Sequence, residues 1–123
     1  MFTYKRSFSS YSVNDIQKAK AFYQQTLGLD TTETPEGLSI NTDGATLFLY
    51  PKGDQHEPAT FTVLNFKVGN IEDTVDKLTA SGVSFLQYEG ELQTDKKGIF
   101  RGDGPTIAWF TDPAGNILSV VQE

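Results

Sequence analysis

Apolar residues recur at three- and four-residue steps in two stretches, Ile16, Ala19, Phe22, Tyr23 and Leu27 and again Ile71, Val75 and Leu78. That period belongs to a helix with one buried stripe, so two amphipathic helices are predicted. Asn14 and Asn70 stand where N-caps belong, and Gly28 and Gly82 supply the left-handed residue that commonly ends a helix. A strand is expected before each helix, Ser7 to Val13 and Thr60 to Val68, the second rich in β-branched and aromatic residues. After the first helix the pattern predicts strands at Asp30 to Thr34, Gly37 to Asn41 and Ala45 to Tyr50, broken by the turn chemistries Pro35-Glu36-Gly37 and Asp43-Gly44. After the second it predicts Val83 to Tyr88, Lys97 to Arg101 with Thr106 to Thr111, and Asn116 to Val121.

The two halves repeat each other. Val13-Asn14-Asp15-Ile16 leading to Gly28-Leu29 is echoed by Val68-Gly69-Asn70-Ile71 leading to Gly82-Val83. The expected fold class is therefore α+β: two βαβββ modules, about residues 5–51 and 60–123, in one domain of residues 1–123. Their mixed sheets are expected to curl into a half-barrel with the helices outside. A ferredoxin-like sandwich, also α+β with two helices, has four strands where this pattern gives about eight. The polar stretch Tyr50 to Ala59, with two prolines and a glycine, is expected to connect the modules.

Composition narrows the chemistry. Ten Lys and Arg against sixteen Asp and Glu give a net charge of −6, a field that repels phosphate backbones and anionic lipid and argues against nucleic acid as a partner. No cysteine is present, which excludes disulfides, thiolate nucleophiles and thiolate-held metals. His56 is the single histidine, so no site in one chain can use two imidazoles. It sits near Asp54 and Glu57 in the connecting stretch and is expected to be solvated there. No apolar run reaches the roughly 18 residues of a membrane span, and the start MFTYKRSFSS lacks a signal-peptide core. No membrane partner is expected, and the expected location is cytoplasmic.

Three stretches carry a resemblance to a known family: Val13-Asn14-Asp15-Ile16 with Ala21-Phe22-Tyr23 and Leu27-Gly28-Leu29; the repeat from Val68 to Val83; and Asp112-Pro113-Ala114-Gly115-Asn116. In order and spacing they resemble the vicinal oxygen chelate proteins, the glyoxalase/bleomycin resistance/dioxygenase superfamily. Phe22, Tyr23 and the Asp-Pro-x-Gly-Asn turn have structural readings of their own, as helix-face bulk and as a hairpin turn. Metal-dependent members ligate through His or Glu on four inward-facing strand positions. The resemblance places those positions at Phe8, Phe48, Val63 and Ser119, with no His or carboxylate among the nearest neighbours. It therefore implies the metal-free, bleomycin-resistance-like type, homodimers that bind a ring-rich cationic compound, with no cofactor and no catalytic residue.

Strand alternation assigns the faces. Leu47, Leu49, Leu64, Phe66, Val68, Leu118 and Val120 are expected to pack on the helices. Phe8, Ser10, Phe48, Tyr50, Phe61, Val63, Asn65, Lys67 and Ser119 are left on the other side, joined by Trp109 if Phe110 faces the core. These ten are the candidate ligand-binding residues, an aromatic surface with scattered small polar groups suited to a small molecule. Two alternatives stand beside the binding protein. One is an enzyme of the superfamily, glyoxalase-like or other, acting without the usual metal through Tyr50, Lys67 or Ser119. The other is an interaction module using open sheet edges.

Overall fold

The computed structural model describes residues 1–123, which divide into two compact units, Met1–Pro58 and Ala59–Glu123. In the first, β1 (Ser9–Val13) leads into α1 (Ile16–Lys20), and β2 (Asp30–Thr34), β3 (Gly37–Thr42) and β4 (Ala45–Pro51) follow. In the second, β5 (Thr62–Lys67) leads into α2 (Ile71–Ala80), then β6 (Ile99–Arg101), β7 (Thr106–Thr111) and β8 (Ile117–Gln122). The sheets have matching orders, β1-β4-β3-β2 and β5-β8-β7-β6. In each, the strand before the helix pairs in parallel with the last strand, while the other pairings are antiparallel. The parallel pair exists because a helix intervenes, as a parallel connection requires. This is the expected α+β fold of two βαβββ modules with mixed sheets, and no helix is long and apolar enough to cross a membrane.

Each helix covers one face of its own sheet. In the first unit Val13, Leu38, Ile40, Leu47 and Leu49 are buried with Ala19 and Tyr23 of the helical segment. Tyr23 is 0% exposed, and its hydroxyl meets that of Tyr11 on β1 at 2.8 Å, so its polar end is satisfied inside the core. Phe22 meets the Tyr23 ring edge-on at 5.2 Å. In the second unit Leu64, Ala108, Phe110, Leu118 and Val120 are buried with Ile71 and Val75 of α2. The 112–116 turn is a structural joint. Asp112 and Asn116 are buried, and Asp112 Oδ1 accepts the N–H groups of Ala114 and Asn116, both at 2.9 Å. Asn116 Nδ2 donates to Asp112 Oδ2, and Asn116 Oδ1 accepts the Ala59 N–H.

Several elements differ from expectation. Asp15, not Asn14, caps α1: its Oδ1 accepts the N–H groups of Gln17 and Lys18 at 2.9 and 3.1 Å. Asn70 does cap α2, accepting the Asp73 N–H, with Glu72 and Asp73 suited to the positive end of the dipole. Beyond Lys20 the first helix widens into a π-helical segment, Ala21–Thr26, before Gly28 turns the chain at φ 70°. Val83 to Tyr88 is not a strand. The outer edge of β7 is shared: β6 pairs with Thr106 to Ala108, which leaves only Trp109, Phe110 and Thr111 for this stretch. It makes one bridge, Phe85 to Phe110, with the Leu86 N–H donated to the Trp109 carbonyl. His56 is half-buried, with Nδ1 2.7 Å from Ser12 Oγ, so it ties the connecting loop to β1 rather than standing in solvent.

Two measurements check these local causes. Asp15→Ala is expected to cost about 1 kcal/mol in urea unfolding, and Asn14→Ala only a few tenths; equal costs would remove the cap from Asp15. At Gly37 a Cβ would stand 2.1 Å from the Leu49 carbonyl oxygen and 2.9 Å from the Phe48 ring. Gly37→Ala should therefore destabilise by about 2–4 kcal/mol, and a neutral result would contradict this packing.

Candidate functional site

One helix per sheet leaves the opposite face to other uses, and the candidate residues stand on it in rows set by the register. In the first unit Ser10, Phe48 and Ser39 lie side by side across β1, β4 and β3, with Ser12 and Tyr50 in the next row. Phe48 is half-buried because its ring lies along Gly37, where there is no side chain to meet it. Phe8 precedes β1 and is 64% exposed. Phe8 and Phe48 come together in a cleft of about 600 Å³, lined also by Arg6, Thr34, Glu36 and Ser39. Four of the ten candidates thus belong to this unit, and two of them share its cleft. Arg6 and Glu36 were not foreseen. They lie in a leading segment and a turn, where period-2 alternation gives no face.

In the second unit Asn65, Ser119 and Trp109 form the corresponding row across β5, β8 and β7. Ser119 is fully buried, and its hydroxyl donates to Asn65 Oδ1. Phe110 is fully buried on the helix side, so Trp109 points the other way. Its indole is flanked by Tyr88, edge-on at 5.4 Å and 88°, and by Phe100 at 6.1 Å and 40°. Neither flanking ring was foreseen. Tyr88 lay in a stretch expected to be a strand, whereas Phe100 could have been found from its alternation with the core residue Ile99. Lys67 is exposed and paired with Glu123, whose hydrogen bond and charge raise the ammonium above its ordinary range.

Even alternation does not hold along β5. The register shifts between Thr62 and Leu64, so Thr62 rather than Val63 sits beside Ile117. Val63 is the extra residue of a bulge, and Phe61 lies ahead of the strand, 67% exposed. Counting in twos from Asn65 therefore does not fix the face of either.

The resemblance implies a metal in many relatives, and the residues present do not fit one. Phe8, Phe48 and Val63 carry no donor atom, and the Ser119 hydroxyl is committed to Asn65. No three His, Asp or Glu side chains come together in a geometry that could hold an ion.

Solved structures with this fold include three that cover nearly the whole chain. A hypothetical protein of S. aureus, SA1046, is 18% identical, with 99% of this chain and 96% of that one covered at a TM-score of 0.71. TnmS3, an antibiotic binding protein from Streptomyces sp. CB03234, is 22% identical over 98% of each chain at 0.66. A lactoylglutathione lyase from Agrobacterium tumefaciens is 16% identical over 95% of this chain and 92% of that one at 0.68. At such identities the likeness is one of fold. No curated protein matches the sequence. The family model that does match covers residues 8–120, nearly both modules, and the chain belongs to the Glyoxalase/Bleomycin resistance protein/Dioxygenase superfamily.

Proposed function

We propose that this protein binds a planar or cationic small molecule on the sheet faces turned away from its helices, without a metal and without turning it over. The observation that carries this reading is Trp109, set between Tyr88 and Phe100 and beside Asn65 and Ser119. Aromatic rings next to a few fixed polar groups suit a ring-bearing ligand, which gains stacking or cation–π contact. Phe8, Phe48, Ser10 and Tyr50 supply the same mixture in the other unit, with Arg6 and Glu36 at the cleft. The net charge of −6 attracts a cation at long range. An antibiotic binding protein among the structures of this fold is compatible with the reading.

Two of the three groups that could do chemistry, Lys67 and Ser119, are poorly placed for it. Lys67 is held protonated by Glu123, and Ser119 already donates its proton to Asn65. General acid–base work needs a group that exchanges a proton near the operating pH. We therefore favour binding over a lyase that dispenses with metal. We also propose a homodimer, because each four-stranded sheet ends in edge strands that a second copy can cover.

One native mass spectrum checks two of these points. A species near twice 13.6 kDa carrying no added metal mass is expected. A monomer would remove the dimer, and one retained zinc, nickel or iron per chain would revive the lyase.

The ligand reading is checked by calorimetric titration with bleomycin and with ethidium, a planar cationic dye. Trp109→Phe and Phe48→Ala should each weaken binding by about 2- to 30-fold, the worth of a stacking or cation–π contact, with the circular dichroism of the fold unchanged. Unaltered affinity in both variants would mean that these rings only pack.

A further inference from the structure

Tyr88 reaches Trp109 from a strap of chain with almost no sheet pairing of its own, which ends at β6, the strand that carries Phe100. The strap leaves the β7 edge after Leu86 and returns at Ile99, with one short helical turn at Gly90–Leu92. Thr94 closes its neck: its hydroxyl accepts the Tyr88 N–H at 3.0 Å, its own N–H donates to the Tyr88 carbonyl, and it bridges to Phe100. Thr94 therefore ties together the backbones that carry both flanking rings. The next residue, Asp95, accepts the N–H groups of Lys97 and Ile99 through Oδ1, both at 2.9 Å. Its Oδ2 accepts Nη1 of Arg101 at 2.7 Å.

Arg101 does not stop there. Its Nη2 pairs with Glu72 in the first turn of α2, so one guanidinium joins the strap to the helix. One helical turn further on, Asp76 takes the Lys97 ammonium at 3.0 Å. Isolated surface ion pairs contribute little, and these side chains are all roughly half exposed. Two features set this group apart. A forked guanidinium spans two carboxylates on different elements, which an ammonium cannot reproduce. The strand it belongs to has only three paired residues, Ile99, Phe100 and Arg101, and its other ties, at Thr94 and Asp95, run to the strap itself, so the clasp joins both to the helix. The Phe100 ring also folds over Gly102, where a Cβ would stand 2.6 Å from Cζ.

We propose that Arg101 is a positioning residue: by clasping Asp95 to Glu72 it holds the strap so that Tyr88 and Phe100 enclose Trp109. For its effect on ligand binding this rests on the function proposed above; for the placement of the rings it does not. Because the clasp is charged and exposed, salt loosens it, and the enclosure of Trp109 becomes dependent on ionic strength.

The test uses the full-length protein, with acrylamide as a neutral quencher of the single tryptophan and near-ultraviolet circular dichroism as a second signal. Arg101→Gln should raise the quenching constant about twofold and reduce the aromatic dichroism, as expected of local opening, with far-ultraviolet dichroism unchanged. Arg101→Lys should fall between wild type and Arg101→Gln, and about 0.5 M NaCl should move wild type, but not Arg101→Gln, in the same direction. Quenching and aromatic dichroism identical in Arg101→Gln and wild type would overturn the proposal. If Arg101→Gln does not fold, Glu72→Gln decides, since it alters only the helix end of the clasp: increased quenching supports the clasp and unchanged quenching removes it. An ethidium titration separates the two readings. About threefold weaker binding in Arg101→Gln links the clasp to the ligand. Absence of ethidium binding in wild type counts against the proposed function and leaves the clasp to be judged on quenching.

Discussion

A four-stranded sheet has two faces, and one short helix can bury only one of them. Which strand residues are left for other uses follows from that constraint. In the first unit the helical segment covers Leu38, Ile40, Leu47 and Leu49, and in the second α2 lies over Leu118, Val120, Ala108 and Phe110. Burying these side chains supplies most of the favourable free energy of each unit, at roughly 25 cal/mol per Å² of apolar surface. Strand geometry then dictates what the alternate residues do. Ser10, Ser39, Phe48, Asn65 and Trp109 must point away from the helix, whatever their chemistry.

The repeat makes the faces turned away from the helices comparable. Ser10 and Asn65 hold the same place on the strand before the helix, Phe48 and Ser119 on the last strand, and Ser39 and Trp109 on the strand beside it. The large ring has changed strands between the modules. In the first unit it stands on β4 and packs along Gly37; in the second it stands on β7, where Ser119 beside it is small. Each row keeps one large ring with small polar neighbours, so two copies of one scaffold offer related surfaces from different strands. On the proposed reading, binding groups are supplied by alternation on a rigid sheet, where they can vary without disturbing the core.

The fold was legible because its signals are local and repeated: helix-spaced apolar residues, Gly28 and Gly82 at helix ends, and β-branched strands. The differences arise where a local signal is degenerate or where a distant segment decides. Asn14 and Asp15 are both good caps, and only the start of the helical hydrogen bonds distinguishes them. Val83 to Tyr88 reads as a strand, yet β6 already occupies much of the edge it would use, a competition between distant segments that no window of sequence contains. The bulge at Val63 defeats counting in twos for the same reason, because it is defined by β8. At the candidate site, Trp109 was legible through its neighbour Phe110, whereas Tyr88 and Arg6 were not, since neither lies on a strand. His56 could be located but not paired; its partner Ser12 is 44 positions away in sequence.

On the proposed reading a ligand contacts the sheet faces turned away from the helices. Backbone chemical-shift mapping by NMR during addition of ethidium tests it most directly, because every strand residue reports separately. The expected shifts concentrate on Ser10, Ser39, Phe48, Asn65, Trp109 and Ser119, while the α2 surface at Asp73, Lys77 and Ala80 stays still. Shifts centred on that helix surface, with the sheet residues silent, would contradict the claim.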